Sequence, residues 1–272
     1  MTMDFTAALP ANPLEKPGYR LDFQDEFATE QLDQAKWLPY YLPQWSSRER
    51  STPRYHLANQ RLILEIQADQ APWCPEFDAQ TRCSSLQTGV FSGALGSPDG
   101  QHRFNQACVV RELQDSIRTY TPQYGYFEMR AKATIGPNNV VALWMIGFED
   151  QPEYSGELAI MEIKGWNIGA TGLKLGYGVH PWGDSQLTDE FFEDEVAIKV
   201  SDYHIYAAEW TPSQIDIYLD NRKLRTIQQS PNYPMQFMLG MYDLPLRQPT
   251  TAQYPQQFEI DYVRGYQPLH GY

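Results

Sequence analysis

The sequence predicts an all-β fold, an antiparallel sandwich or jelly roll, and three observations favour it. Short runs of strand-forming residues follow one another closely through most of the chain. Turn residues, including many of the 20 prolines, separate these runs. Segments with helical periodicity are scarce, so no helices alternate with strands as they would around a parallel sheet. The 272 residues are enough for one domain with a large core.

The strands can be placed in order along the chain. Alternating apolar residues predict strands at 61–68 and 124–133. The continuous apolar run at 140–148 predicts a strand that is buried on both faces. The best helix candidate, at 189–198, is short. Further strands are predicted at 204–210, 214–220, 223–227, 235–242 and 258–266.

Composition and charge argue against several classes of protein. The net charge is −13 and there is no Lys/Arg-rich run, which argues against binding to nucleic acids or to anionic membranes. No apolar stretch reaches the roughly 18 residues of a membrane-spanning helix. Residues 1–16 are predicted to be an unstructured lead-in, and residues 17–272 a single domain.

The N-terminus and the cysteines bear on the compartment. The N-terminus has neither the basic nor the apolar region of a signal peptide. We therefore expect a cytoplasmic protein, or a secreted one if the sequence is a trimmed form. Three cysteines are too few for a disulfide scaffold, and although Cys74 and Cys83 could pair, free thiols are the simpler interpretation.

Two glutamates in the segment GELAIMEIKGW, residues 156–166, raise a question about strand geometry. Glu157 and Glu162 are five residues apart, and in a regular strand an odd spacing puts side chains on opposite faces. A β-bulge at Ile160–Met161 would restore the phase and bring both onto one face. The other face would then be wholly apolar, as a core face should be. The predicted cleft face holds Glu157, Ala159 and Glu162, and the predicted core face holds Leu158, Ile160 and Ile163.

Two carboxylates on one face suit the hydrolysis of a glycosidic bond. A separation of about 5–5.5 Å is typical of a retaining glycosidase, in which one carboxylate attacks the sugar and the other acts as acid and then base. The acid needs a raised pKa, which a neighbouring carboxylate and partial burial would supply. The alternative is an amphipathic strand with two surface glutamates.

The segment GELAIMEIKG resembles the bulged signature Glu-x-Asp-x-x-Glu of glycoside hydrolase family 16, which includes laminarinases, lichenases and agarases. Segments at 21–27, 124–147, 203–226 and 258–267 also resemble strands of that family in the same order. The resemblance runs from about residue 18 to 267. It implies a β-jelly roll of two curved antiparallel sheets with a substrate cleft on the concave face.

The resemblance implies roles for both glutamates. Glu157 matches the nucleophile and Glu162 the general acid/base. Ala159 stands where the family usually has Asp, so the site holds one negative charge fewer and the like-charge effect on Glu162 should be weaker. A subgroup with a small residue there, an engineered change, or a loss of activity with retained binding would each account for Ala159.

Aromatic side chains are the candidates for sugar binding, because sugar rings have apolar faces. Trp144, Trp182 and His180 match cleft residues of the family, although a core tryptophan and a structural histidine are the alternatives. Trp166, four residues after Glu162, and Tyr242, near the end of its strand, are further candidates.

Asp261 matches a calcium ligand of many family members, with a surface Asp on an edge strand as the alternative. No cofactor is required for the chemistry. The resemblance implies a monomeric, retaining endo-β-glycosidase whose partner is a polysaccharide or oligosaccharide, with a β-1,3-containing glucan as the favoured substrate. A transglycosylase, a carbohydrate-binding protein without catalysis and a structural protein remain alternatives.

Overall fold

The computed structural model describes residues 3–5, 9–244 and 253–272 and is almost entirely β-structure. Its strands are β1 (Met3–Asp4), β2 (Tyr19–Asp25), β3 (Arg54–Leu57), β4 (Leu62–Ile66), β5 (Arg82–Gln87), β6 (Gly89–Val90), β7 (Ile117–Arg118), β8 (Gly125–Thr134), β9 (Asn139–Gly147), β10 (Glu157–Ile168), β11 (Leu173–His180), β12 (Glu190–Ala197), β13 (His204–Trp210), β14 (Ile215–Leu219), β15 (Arg222–Ile227), β16 (Met235–Asp243) and β17 (Gln256–Pro268). Short helical turns lie at Pro43–Trp45, Arg48–Ser51 and Pro75–Asp78.

Two large sheets form the sandwich. In the first, the strands follow the order β1-β12-β11-β10-β9-β16-β5, and in the second the order β15-β14-β13-β8-β17-β4-β3, with β2 also paired to β17. Neighbouring strands are antiparallel, except that β1 runs parallel to β12. The predicted jelly-roll sandwich is confirmed.

The first sheet is apolar on both faces around β9. Odd-numbered residues such as Leu143 join the core between the sheets. Even-numbered residues such as Trp144 join a second apolar cluster with residues from the segment 41–110, which covers part of the outer face. This double burial explains the uninterrupted apolar run of the sequence, because both faces of the strand pack against apolar side chains.

The helix predicted at 189–198 is wrong. Glu190–Ala197 form strand β12, which pairs residue by residue with β11. Phe192 packs against the main core, whereas Phe191 packs on the opposite face of the sheet. Pairing with a neighbouring strand overrides the weak local preference of a short acidic segment.

The unstructured lead-in predicted for residues 1–16 is also wrong where the structure describes that segment. Strand β1 pairs with β12, and Phe5 is buried in the main core. The Asn12 side chain donates a hydrogen bond to Glu128 over 2.9 Å. Arg130 also donates to the Leu9 carbonyl, and Arg264 donates to the Asn12 carbonyl. These contacts hold the segment to the sandwich, and they form no periodic pattern in the sequence.

All three cysteines, Cys74, Cys83 and Cys108, are buried free thiols. No helix in the described ranges has the length and apolar character needed to cross a membrane.

Candidate active site

A bulge in β10 brings the two glutamates to one face. Along β9, Trp144 pairs with Ala159 and the next residue, Leu143, pairs with Met161, which leaves Ile160 as the extra residue. The bulge predicted at Ile160–Met161 is therefore present. Leu158, Ile160, Met161 and Ile163 all face the core between the sheets.

On the opposite face, Glu157 and Glu162 line one cleft with a volume of about 310 Å³. Ala159 lies between them on β10, where it is buried and pairs with Trp144. Of the predicted site residues, Trp144, His180, Trp182 and Tyr242 also line this cleft, whereas Trp166 does not. Residues that the sequence analysis did not select complete the lining: Tyr41, Asp78, Thr81, His102, Val140, Ala142 and Leu244.

Trp182 supports Glu157. Its indole N–H donates a hydrogen bond to Glu157 Oε2 over 2.7 Å. Burial raises the pKa of Glu157 to about 8; the Trp182 hydrogen bond opposes this rise, and the charges of Glu162 and Asp189 add to it. We expected the acid/base to carry the raised pKa, but this raised pKa belongs to the predicted nucleophile.

An aromatic group surrounds this hydrogen bond. The ring of His102 lies edge-on to Trp182, with centroids 4.7 Å apart, and edge-on to Trp144, with centroids 5.2 Å apart. Burial lowers the pKa of His102 to about 3, so the ring is neutral near pH 7. Trp182 itself is half-exposed and has a φ of 47°, a conformation that few residues other than glycine adopt.

Glu162 has a cationic neighbour. Lys164 Nζ lies 2.9 Å from Glu162 Oε1 and 2.8 Å from Glu193 Oε1. Burial alone would lower the pKa of Lys164, but its contacts with these two carboxylates raise it overall. Lys164 is therefore a cation that contacts one glutamate of the pair directly.

His180 lies beside Glu157 on the neighbouring strand, since the two residues are partners in the β10–β11 pairing. Its ring stacks on Phe191, with centroids 4.8 Å apart and planes 15° apart. Its Nδ1 lies 3.2 Å from Asp189 Oδ1. His180 therefore lines the cleft and contacts both Phe191 and the Asp189 carboxylate.

Trp144 and Tyr242 line the cleft together. The indole N–H of Trp144 donates to the Tyr242 hydroxyl over 3.2 Å, and Tyr41 packs edge-on against Tyr242. Burial raises the pKa of Tyr242 well above its usual value, so this hydroxyl stays protonated. These contacts hold the aromatic surfaces in place before a sugar arrives.

A comparison with protein families assigns the chain to a family. The sequence pattern described as "Glycosyl hydrolases family 16" matches residues 113–264, more than half of the chain. The chain belongs to glycosyl hydrolase family 16. A curated relative, the glucan endo-1,3-beta-glucosidase A1 of Niallia circulans, is 24% identical over 97% of this chain. The match spans 40% of the length of that relative.

Solved structures share the fold of the family 16 chain. A GlcNAcα1-4Gal-releasing endo-β-galactosidase from Clostridium perfringens superposes with a TM-score of 0.86 and is 34% identical, over 97% of this chain and 66% of that one. A laminarinase from Flavobacterium sp. UMI-01 superposes with a TM-score of 0.62 and is 19% identical, over 91% of this chain and all of that one.

The predicted calcium ligand does not fit a metal site in this family 16 chain. The Asp261 carboxylate accepts a hydrogen bond from Arg130 over 2.6 Å and lies 3.4 Å from Arg61 Nε. Two guanidinium groups therefore lie where a metal cation would have to bind. Within the described part of the chain, no cluster of three or more His, Cys, Asp or Glu side chains is placed to hold a metal ion.

Proposed function

We propose that this protein is a retaining endo-β-glycosidase in which Glu157 is the nucleophile and Glu162 is the general acid/base. One observation carries the proposal: the bulge in β10 turns both carboxylates toward the same aromatic-lined cleft. Ligand sites of enzymes are typically concave and mostly apolar, with a few polar groups that fix orientation.

The reaction would take two steps. Glu157 attacks the anomeric carbon while Glu162 protonates the departing oxygen, so the glycosidic bond breaks as a glycosyl ester forms. Glu162, now a carboxylate, takes a proton from water, and the resulting hydroxide displaces Glu157 from the sugar. The anomeric configuration is inverted twice and therefore retained.

The environment of Glu157 sets its charge state. At pH 7 a carboxyl with a pKa of about 8 is mostly protonated, and only the ionised fraction can attack. The Trp182 indole stabilises that ionised fraction, because its N–H donates to the carboxylate. The fraction of Glu157 that can attack therefore increases as the pH approaches 8.

For the substrate, we infer a glycan with a β-linked galactose at the cleavage site. The support is the 34% identity, over nearly the whole chain, to an enzyme whose name describes release of GlcNAcα1-4Gal. A β-1,3-containing glucan is the second candidate. It is favoured by the match to the glucan endo-1,3-beta-glucosidase A1, and by His180 in the position typical of laminarinase-like members.

The test is a comparison of two substrates by proton NMR of the anomeric signals. We expect a glycan carrying GlcNAcα1-4Galβ to yield the β-anomer first, and we expect Glu157→Gln and Glu162→Gln to abolish turnover. Faster cleavage of laminarin would favour the β-1,3-glucanase. Products that appear first as the α-anomer would exclude a retaining mechanism.

A carbohydrate-binding protein without catalysis is the alternative in a different class. Ala159, in place of the aspartate of the family motif, is the observation that favours it. Saturable binding of either glycan without any released sugar would support this alternative. Turnover that Glu157→Gln abolishes would exclude it.

A further inference from the structure

A second and larger cavity, of about 670 Å³, adjoins the cleft. The two share His102 and Trp182 in their walls, so a ligand can extend from one into the other. The walls of this second cavity come from the segment 91–106 and from the segment 149–155, which precedes β10. The first of these segments lies outside the part of the chain that matches the family pattern.

Glu149 is a polar group of this cavity that hydrogen bonds hold in place. Its carboxylate accepts a hydrogen bond from the backbone N–H of His102. Its own backbone N–H donates to the side chain of Gln101 over 3.2 Å. Gln101 is fully buried and donates to the Gly147 carbonyl over 2.7 Å, at the end of β9. The carboxyl group is therefore positioned by a buried network rather than by a mobile loop.

The charges around the cavity favour a neutral ligand. Burial raises the pKa of Glu149 to about 8, while the His102 N–H lowers it, so near pH 7 the carboxyl is mostly protonated. In that state it can both donate and accept hydrogen bonds, as sugar hydroxyls and amides require. Asp99 and Asp150 also line the cavity and would repel a sulfated or carboxylated sugar, although Arg103 offsets part of their charge.

The cavity also offers apolar surface at a suitable size. Phe91, Pro98, Pro152 and Trp182 contribute to its walls, and such surfaces pack against the faces of sugar rings. Its volume falls in the range of about 300–1,000 Å³ that is typical of small-ligand sites. The cavity therefore combines apolar surface with hydrogen-bonding groups, as the binding of an uncharged sugar requires.

The cavity lies at the Glu157 end of the cleft. Ser155, two residues before Glu157, and Trp182, which donates to Glu157, both line it. Glu162 and Tyr242 lie away from it, in the lining of the cleft alone. In the proposed reaction the attacked sugar faces Glu157 and the departing sugar faces Glu162. A sugar in this cavity would therefore belong to the non-reducing side of the cleaved bond.

We propose that this cavity binds the N-acetylglucosamine of a GlcNAcα1-4Gal unit while the galactose lies against Glu157. The inference rests on the proposed function and deepens it by naming the sugar that determines specificity. Glu149 is a specificity-determining residue here, because it contacts the neighbouring sugar rather than the reacting atoms.

The test compares two chromogenic substrates, a nitrophenyl β-galactoside and the same compound extended with α1-4-linked N-acetylglucosamine. The quantity measured is the ratio of kcat/KM for the extended substrate to kcat/KM for the short one. We expect the ratio to exceed one and to fall about tenfold in Glu149→Ala, as the loss of a buried hydrogen bond implies. Glu149→Gln, which keeps a neutral donor and acceptor, should lose much less.

Glu153→Ala is the matched control, because Glu153 is exposed on the same segment and does not line the cavity. It should keep the ratio of the unaltered protein. The proposal is overturned if the unaltered protein does not prefer the extended substrate, or if Glu149→Ala and Glu153→Ala give equal ratios. Thermal unfolding of each variant establishes that the comparison is made between folded proteins.

Failure of the proposed function can be distinguished from failure of the proposed sugar binding in the cavity. If neither substrate is hydrolysed, free GlcNAcα1-4Gal is titrated into the protein by calorimetry. Binding that Glu149→Ala weakens and Glu153→Ala does not would support the pocket although the catalytic proposal fails. Absence of binding would overturn the proposed role of the cavity as well. Hydrolysis with a kcat/KM ratio that Glu149→Ala leaves unchanged would overturn the role of the cavity alone.

Discussion

The indole N–H of Trp182 donates to Glu157 Oε2 over 2.7 Å, from a residue whose backbone has a positive φ. In the family motif an aspartate stands at the position that Ala159 occupies, where a methyl group can form no hydrogen bond. Trp182 therefore supplies a polar contact to the predicted nucleophile from the neighbouring loop instead of from β10 itself.

The first prediction concerns the pH dependence of turnover. A carboxyl whose pKa is raised to about 8 is protonated below that pH, and a protonated carboxyl cannot attack. The first step needs Glu157 ionised and Glu162 protonated at the same time, so we expect the slope of log kcat/KM against pH to change near pH 8, where Glu157 ionises. A pH profile measures this directly. A profile whose slope does not change near pH 8 would contradict the raised pKa of Glu157.

The second prediction removes the hydrogen bond between Trp182 and Glu157. Trp182→Phe keeps an aromatic ring but loses the N–H that stabilises the ionised carboxyl. The pKa of Glu157 should rise, and the change of slope that it causes in the pH profile should move upward by about one unit. Trp166→Phe is the control, because Trp166 does not line the cleft. A change of slope that stays in place in Trp182→Phe would mean that the indole N–H does not control the ionisation.

The third prediction restores the aspartate of the family motif. Position 159 is buried, so Ala159→Asp places a carboxyl among apolar side chains beside Trp144. The substitution should lower the free energy of unfolding by about 1–3 kcal/mol. The added negative charge should also raise the pKa of Glu157 and move the change of slope that it causes to higher pH. Urea unfolding and the pH profile measure the two effects, with Ala170→Asp at an exposed turn as the control. A faster enzyme at pH 7 would instead identify Ala159 as a defect in the catalytic site.

The fourth prediction concerns the sheet beneath the cleft. Gly178 has a φ of 148°, and a Cβ built there would lie 2.2 Å from the Glu190 carbonyl oxygen of β12. Gly178→Ala should therefore lower the free energy of unfolding by about 2 kcal/mol or more, because backbone atoms must move. Gly169→Ala, where the nearest atom would be 3.5 Å away, should change it little. Equal stabilities in a denaturant titration would contradict this explanation.

Much of the sandwich could be predicted from local pattern. The apolar run around Leu143 and the alternating residues of β8 and β17 identify strands, because each face of a strand meets a constant environment. The bulge at Ile160–Met161 could also be predicted, since only an extra residue reconciles two polar positions five apart with an apolar core face. The resemblance to family 16 motifs then predicted a catalytic role for each glutamate.

Tertiary contacts determined the features that the sequence did not predict. Glu190–Ala197 form a strand because they pair with the edge of β11. Phe5 is held by a core built from residues far along the chain. His102 and Glu149 could not be selected from the sequence, because each is an isolated residue outside any periodic pattern. The fold brings them together through the buried Gln101, and burial then determines their charge. The sequence by itself determined the strands from β8 to β10 and from β13 to β17, and the shared face of the paired glutamates. Only the folded chain determined which groups lose water, and therefore which carboxyl carries a raised pKa.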